Sequence, residues 1–272
     1  MTSELQAKYS ALKEMLTALG KVAIAFSGGI DSTLLLKVAH DTLGDSCVAF
    51  TAASAFVPEG DVDEARQFCE REGITLKVMD FPILDVPHVK ENPTDRCYHC
   101  KTAIFTQLRA TARELGITNI AEGTNLDDDG DYRPGRRALE ELHTLSPLHA
   151  SGFTKKDIRA LSQELGIKGW DRPSSACLAS RFAYGMELTA DKLKCVGMAE
   201  DFLKDEGFHQ LRVRVELNTA RIELEPADID RILALAVRAK IVRAFREFGF
   251  SHVSLDLLGY RKGSMNEGVE GI

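Results

Sequence analysis

The stretch Lys21-Val-Ala-Ile-Ala-Phe-Ser27-Gly28-Gly29-Ile30-Asp31-Ser32 constrains this chain more than any other. Val22–Phe26 is a short apolar run that predicts a strand, and residues 31–43 carry Leu34, Leu35, Val38 and Leu43 at helical spacing. Two adjacent glycines stand between them. Glycine lets the backbone turn tightly and brings N–H groups close to an anion. Ser27 and Ser32 add hydroxyl donors. A helix starting near Asp31 aims its unpaired first-turn N–H groups and its positive dipole end at the same point. The bland alternative is an ordinary turn, and Gly-Gly alone would carry little. The full hexamer behind an apolar strand predicts a cradle for phosphate. It is not a Walker A loop, because the Gly-Lys-[Ser/Thr] ending is missing.

The surrounding pattern predicts the fold class. Leu5, Tyr9, Leu12, Leu16 and Leu19 line one face of a helix over 3–19, which Gly20 ends. Strands are expected at 22–26, 47–51, 75–79 and 119–121, with helices at 31–43, 58–72, 102–115 and 154–165. Thr154 with Asp157 three residues on marks the start of the last of these. Strands alternating with helices mean right-handed crossovers and an α/β, doubly wound parallel sheet. Such sheets bind ligands beyond the carboxyl ends of their strands, so residues 27–32, 51–54 and 122–127 should gather on one rim. From 186 onward the pattern changes to helix 188–206, an alternating hairpin at 210–217 and 220–225, helix 228–248 and strand 252–257. The expected organisation is a phosphate-binding α/β domain over 1–170, a linker over 171–185 that carries Cys177, and a smaller C-terminal α+β domain over 186–272.

Composition excludes several classes. The chain has 272 residues, 44 % of them hydrophobic and 28 % charged, enough to build packed cores. Its net charge of −7 argues against nucleic acid as a partner, because phosphate-backbone binding needs a basic surface. No run approaches the ~18–20 apolar residues of a membrane span. Met1-Thr-Ser-Glu-Leu-Gln has neither the basic nor the apolar part of a secretory signal, so the expected location is cytoplasmic.

There are six cysteines. Cys47 and Cys69 lie in apolar or helical settings and read as core thiols, and Cys195 lies on an expected helix. Cys97 and Cys100 form a C-x-x-C in Arg96-Cys-Tyr-His-Cys-Lys101, and Cys177 sits far downstream in Arg172-Pro-Ser-Ser-Ala-Cys-Leu-Ala-Ser-Arg181. A structural zinc would want a fourth ligand, His99 or a distant residue. An iron–sulfur cluster usually takes four cysteines, and three would leave one iron open. A redox pair and three unrelated thiols are further readings. The Cys177 segment, short of periodicity and close to Arg181, suits an exposed, ionisable thiol.

On the expected hairpin, Arg212 and Arg214 share one strand face, opposed to Leu211, Val213 and Val215. Arg221, Glu223 and Glu225 share a face of the next strand. A solvated face laced with ion pairs is the bland reading. An anion site is the other, because arginine forks onto phosphate and carboxylate. The acidic run Asp127–Asp129 likewise reads either as a solvated loop or as a metal or nucleotide contact.

Ser-Gly-Gly-x-Asp-Ser resembles the signature of the PP-loop ATP pyrophosphatases. That resemblance implies ATP cleaved to AMP and pyrophosphate, Asp31 on Mg²⁺, Ser27, Gly28, Gly29 and Ser32 around the phosphates, and Gly123, Asn125 and Asp127 lining the nucleotide site. Glu122-Gly-Thr-Asn, Asp131-Tyr-Arg-Pro-Gly-Arg, Pro173–Arg181, Arg212-Val-Arg and Gly259-Tyr-Arg-Lys-Gly-Ser-Met-Asn make the chain similar, nearly end to end, to the lactate racemase maturation sulfurtransferases (LarE family) of nickel-pincer nucleotide biosynthesis. The resemblance implies adenylylation of a carboxylate of pyridinium-3,5-biscarboxylic acid mononucleotide and its conversion to a thiocarboxylate. It gives Cys177 the catalytic role, either as sulfur donor or with Cys97 and Cys100 as ligand of a [4Fe-4S] cluster that carries the sulfur. Three cysteines match the cluster branch. It also implies substrate contacts at Ser180, Arg181, Arg212, Arg214 and Arg261, acidic residues Glu200 and Glu223 near substrate or metal, a small nucleotide as partner, and a homo-oligomer. A PP-loop tRNA thiolase using the same three cysteines is the alternative.

Overall fold

The computed structural model describes residues 1–129, 134–171, 176–261 and 263–266. Contact density divides the chain into two compact units, Met1–Pro82 with Asp95–Ser175, and Ile83–Thr94 with Ala176–Ile272. Of the stretches singled out above, 131–133, 172–175, 262 and the chain beyond 266 lie outside the described residues.

The first unit runs α1 (Ser3–Leu19), β1 (Val22–Ala25), α2 (Ile30–Leu43), β2 (Cys47–Ala53), α3 (Glu59–Glu72), β3 (Thr75–Asp80), α4 (Arg96–Glu114), β4 (Asn119–Ala121), α5 (Pro134–Glu141), α6 (Pro147–Ala150) and α7 (Lys155–Glu164). Its strands are parallel in the order β3-β2-β1-β4. The side chains of β1 alternate between two cores. Val22 and Ile24 pack with Leu12 and Leu16 of α1, Leu34 and Leu35 of α2, and Ile158 and Leu161 of α7. Ala23 packs with Phe50, and with Phe105 and Leu108 of α4. A strand covered on both faces must be apolar throughout, which is why 22–25 reads Val-Ala-Ile-Ala.

This order decides where a ligand belongs. From β1 the chain builds outward through β2 to β3, then crosses back to place β4 on the other side of β1. The reversal makes a crevice beyond the carboxyl ends of β1 and β4, the place where such sheets bind ligands. The loops at 26–29 and 122–125 flank it.

The second unit contains α8 (Ala190–Asp205), β5 (Leu211–Glu216), β6 (Thr219–Leu224), α9 (Ile229–Leu233), α10 (Leu235–Glu247) and β7 (His252–Leu255). β5 and β6 form the expected hairpin, with Arg212 opposite Glu223 and Arg214 opposite Arg221, and β7 adds to β6 in parallel. Leu193, Val196 and Leu203 of α8, Val213, Ile222 and Phe245 are among its buried side chains.

Two sequence expectations are corrected. The helix expected at 102–115 starts at Arg96, so Cys97 and Cys100 are helical; Asp95 precedes it as N-cap residue. The helix expected at 228–248 is broken at Ala234, whose φ of −55° and ψ of 132° are extended. Ile232 and Ile241 are both buried. Nine residues apart, they would lie on opposite faces of one continuous helix, and the break lets both reach apolar surroundings. Of the two readings of the charged hairpin face, the solvated one does not hold at Arg212, Arg214 and Glu223, which are 8 %, 9 % and 0 % exposed.

Residues 83–94, which the sequence reading runs inside the first domain, pack with the second unit. The buried Asn92 carboxamide donates to the carbonyls of Phe182 (3.4 Å) and Ala183 (2.8 Å), and the Asn92 backbone carbonyl accepts from Gly185 N–H (2.8 Å). Among the described residues no helix is long and apolar enough to cross a membrane.

Candidate active site

The first functional cluster is the turn between β1 and α2. Phe26 N–H donates to the Phe50 carbonyl (2.8 Å) and Thr51 Oγ1 donates to the Phe26 carbonyl (2.8 Å), tying the end of β1 to β2. Gly28 then adopts φ +75°, a conformation that favours glycine. Gly29 caps α2 with no side-chain hydrogen bond, which leaves the first-turn amides of α2 facing the crevice. Ser32 Oγ accepts from Ser27 N–H (3.2 Å), donates to the Gly29 carbonyl (3.0 Å) and lies 3.1 Å from Ser27 Oγ. Two serines and two glycines therefore form one preshaped ring.

Gly123 closes this ring from the β4 side. A Cβ there would stand 2.8 Å from the Ser32 amide nitrogen and 3.1 Å from the Asp31 carbonyl carbon. Both are backbone atoms and cannot swing aside. We expect Gly123→Ala to push 122–125 off the α2 terminus and to weaken ATP binding by about a hundredfold or more, as judged by calorimetry, since the lost N–H and dipole contacts are charge-assisted. Binding unchanged from wild type would show that the cradle lies elsewhere.

The loop after β4 is held by its own carboxylates. Glu122 is 8 % exposed and accepts from Thr124 N–H and Oγ1 and from Ser146 Oγ. Asn125 accepts from Asp127 N–H, and Asn125 N–H donates to Asp128. Asp129 pairs with Arg136 and His149, and these hydrogen bonds, His149 first, draw its carboxyl below the usual range. The acidic run is thus a folded device, with Asp128 and Asp129 engaged within the loop and its neighbours. Asp127 Oδ2 accepts from Lys155 N–H (2.7 Å), and Lys155 Nζ reaches both carboxylate oxygens of Asp31, at 2.6 and 2.7 Å. Sequence reasoning missed Lys155. It follows the helix cap Thr154 in a Lys-Lys pair that carries no pattern, and only the fold joins it to Asp31.

The second cluster surrounds Cys177. Its thiol is exposed and outside any disulfide, whereas its backbone is pinned. Its carbonyl accepts from Ser180 N–H (3.0 Å), Ser180 Oγ (2.8 Å) and Arg181 Nη1 (3.2 Å). Arg181 also donates to the Ala176 carbonyl (2.8 Å) and to Ser180 Oγ (2.9 Å), and forks onto Glu200 through two bonds of 2.8 Å. Arg181 and Glu200 are both buried, and Glu200 accepts in addition from Val213 N–H (3.0 Å). Burial opposes the Glu200 charge, yet the Arg181 charge and hydrogen bonds hold its carboxyl below the usual range. Burial first, then repulsion from Arg181, draws the Arg212 guanidinium down, and Arg212 stands over the Tyr260 ring at 5.1 Å. Arg214 donates to Glu223 (3.1 Å), the Ser180 carbonyl (2.6 Å) and Ser264 Oγ (2.8 Å). Glu223 also faces Arg221 at 3.2 Å, and Arg261 lies 3.6 Å from Asp256.

The structure thus brings Ser180, Arg181, Arg212, Arg214, Glu200 and Glu223 into one cluster with Cys177. Three guanidiniums against two carboxylates leave it positive. Both glutamates are bound to arginines within it, and Arg181 is largely occupied in shaping the Cys177 turn.

Cys97 and Cys100 are half-buried, three residues apart on α4 and therefore on one helix face. The buried Arg96 donates to Cys97 Sγ (3.6 Å). Cys97 and Cys100 belong to the first unit and Cys177 to the second. Among the described residues no three His, Cys, Asp or Glu side chains gather as a metal group. The remaining thiols differ in kind: burial pushes Cys47 up to about 12 and Cys69 up to about 11, which keeps both protonated and inert.

No family model matches the chain. It is 38 % identical over 264 residues to the pyridinium-3,5-bisthiocarboxylic acid mononucleotide synthase of Lactiplantibacillus plantarum, covering 97 % of this chain and 95 % of that protein. It is 40 % identical over 262 residues to an uncharacterized protein of Synechocystis, covering 96 % and 98 %. Similarity to a tRNA-specific 2-thiouridylase of Agrobacterium fabrum is narrower, 29 % over 191 residues, 54 % of this chain and 47 % of that protein.

Proposed function

The chain belongs to the family of the pyridinium-3,5-bisthiocarboxylic acid mononucleotide synthases, and we propose from this that it is an ATP-dependent sulfurtransferase. In this reading it adenylylates a carboxylate of pyridinium-3,5-biscarboxylic acid mononucleotide and converts it to a thiocarboxylate for the nickel-pincer nucleotide. The observation that carries the proposal is the reach of the likeness. It covers 97 % of the chain and so runs through both the phosphate cradle and the Cys177 cluster. The likeness to tRNA thiouridylases stops at about half the chain and supports membership of the PP-loop superfamily rather than a tRNA substrate.

The chemistry follows from the two clusters. ATP lies with its phosphates on the 27–32 ring and Gly123, and Asn125 and Asp127 border the nucleotide. Mg²⁺, held by phosphate oxygens and the Asp31 carboxylate, would offset charge as pyrophosphate departs; magnesium commonly takes only one or two protein carboxylates, so the single Asp31 fits it. The substrate carboxylate attacks the α-phosphorus, an acyl-adenylate forms and pyrophosphate leaves. This step needs charge neutralisation more than proton transfer, which oriented N–H groups supply. Ser180, Arg212, Arg214 and Arg261 bind the phosphate and carboxylates of the mononucleotide. The Cys177 thiolate then attacks the acyl carbon and AMP leaves, giving a thioester. Removal of the Cys177 Cα proton with cleavage of its Cβ–S bond releases the thiocarboxylate and leaves dehydroalanine. The domain roles follow: 1–170 for ATP, 171–185 for the sulfur site and 186–272 for the substrate. A cytoplasmic location and a homo-oligomeric state belong to the same reading.

One observation favours a second source of sulfur. Cys97 and Cys100 sit on one face of α4, and with Cys177 they would hold a [4Fe-4S] cluster whose labile sulfide spares the protein thiol. The test is incubation with ATP, Mg²⁺ and the mononucleotide. Pyrophosphate release that depends on the mononucleotide, with a product carrying sulfur for oxygen, is expected; ATP turnover indifferent to the mononucleotide would refute the assignment. The protein mass afterwards separates the sources. Loss of H₂S at Cys177 marks the sacrificed thiol, and an intact Cys177 in iron-loaded protein marks the cluster.

A further inference from the structure

The segment after β7 runs beside the charged hairpin and meets three of its arginines. Asp256 N–H donates to the Ile222 carbonyl (2.9 Å) and Tyr260 N–H to the Leu224 carbonyl (2.7 Å), which ties the segment to β6 at two points. Between them Gly259 turns at φ +70°, and a Cβ there would stand 2.6 Å from the Leu224 carbonyl oxygen, so only glycine lets the chain pass this close. From this mount the Asp256 carboxylate pairs with Arg221, the Tyr260 ring centre lies 5.1 Å from the Arg212 guanidinium carbon, and Ser264 Oγ accepts from Arg214 Nη2 (2.8 Å). Ser264 Oγ also lies 3.4 Å from both Glu223 oxygens, so one hydroxyl can accept from the arginine and donate to its carboxylate partner.

A guanidinium carries five N–H donors, one on Nε and two on each terminal nitrogen. Arg181 spends Nε and Nη2 on Glu200, and its Nη1 on the carbonyls of Ala176 and Cys177 and on Ser180 Oγ. Arg214 is held differently. Its Nε donates to Glu223, its Nη1 to the Ser180 carbonyl and its Nη2 to Ser264. One contact on each nitrogen fixes the plane of the group. Among the described residues this leaves one further N–H on Nη1 and one on Nη2, the pair of nitrogens that can fork onto a phosphate or carboxylate. We propose that Ser264 is a positioning residue that holds Arg214 so that its terminal N–H pair is presented to an anionic group of the mononucleotide. A fork oriented in advance loses less freedom on binding than one that must be ordered by the ligand. This inference rests on the reading of the cluster as the mononucleotide site.

The test is calorimetry on the full chain. The titrants are α,β-methylene-ATP, which blocks cleavage, and then pyridinium-3,5-biscarboxylic acid mononucleotide in the presence of that analogue. Ser264→Ala should weaken mononucleotide binding about tenfold, the scale of one hydrogen bond to a charged group, and leave binding of the ATP analogue as in wild type. Ser264→Thr keeps the hydroxyl and should restore most of the lost affinity. Arg214→Lys removes the fork, so adding Ser264→Ala to it should weaken binding no further. A serine that only supports the fold would lower thermal stability and move neither constant. Unchanged mononucleotide binding in Ser264→Ala, equal losses for both ligands, a threonine variant as weak as the alanine one, or an additive double variant overturns the proposal. A wild-type protein that binds no mononucleotide overturns the reading of the site and this inference with it.

Discussion

Cys177→Ala is expected to abolish thiocarboxylate formation while mononucleotide-dependent pyrophosphate release continues. The two half-reactions rest on different residues. In the proposed mechanism adenylylation uses the 27–32 ring and Gly123, which belong to the first unit, and sulfur transfer uses the Cys177 thiol, which belongs to the second. The carbonyl of residue 177 accepts from Ser180 and Arg181, so the turn at 177–181 keeps these backbone bonds in the variant. The measurement is product mass alongside pyrophosphate yield. Acyl-adenylate or its hydrolysis product should appear in place of thiocarboxylate. A normal thiocarboxylate yield from the variant would remove Cys177 from the mechanism, and loss of pyrophosphate release as well would tie it to the first half-reaction.

Glu200→Ala should be the most destabilising single substitution in the Cys177 cluster. It strips the partner from an arginine that is 3 % exposed. Removing one member of a buried pair typically costs about 3–5 kcal/mol, because the other charge is left without compensation. The loss should be read from denaturant unfolding. The double variant Arg181→Met/Glu200→Leu should recover most of that stability, since apolar side chains of similar volume replace such pairs well. It should not recover sulfur transfer, because Arg181 also ties down the carbonyls of Ala176 and Cys177. That split separates folding from positioning. The pair has a pH signature too. The folded Glu200 carboxyl lies below its usual range, so its contribution is present above the unfolded value of about 4.3 and is lost as pH falls through the folded one. Wild type should lose stability steadily in that acid window, and Glu200→Gln should lose less. Parallel curves would show that the pair does not titrate with folding.

Legibility in the sequence followed the range of the interactions. The cradle could be read because its causes are local. Gly28 needs a positive φ, Gly29 caps a helix and two serines lie within one turn, all inside a dozen residues. The parallel sheet could be read because strands covered on both faces must be apolar throughout. The capping box at Thr154 and the hairpin alternation were equally local. Features resting on distant partners could not be read. Lys155 reaches Asp31 across most of the first unit's sequence. Residues 83–94 have a composition no different from their surroundings, and they join the second unit through tertiary contacts such as the hydrogen bonds of Asn92 and of the Lys90 carbonyl, which accepts from Leu188 N–H. The charged hairpin face was left with two readings for the same reason. Alternation says that Arg212 and Arg214 share a face, but burial depends on what covers it, and charged residues usually face water.

By itself the sequence determined most of the elements, their order and the tight turn at 27–32, because each follows from backbone preference or side-chain period over a few neighbours. The tertiary structure decided which charges face one another. It set Lys155 on Asp31, Arg181 on Glu200 and Arg214 on Glu223, and it put Gly123 where only a hydrogen fits against the Ser32 amide. Such pairings depend on the crossing of β4 beside β1 and on how α8 packs on the hairpin, and no local pattern carries that information. The turn at 27–32 has the local shape of an anion cradle, but the lysine on Asp31 and the closing wall at Gly123 come from segments that only folding brings to it.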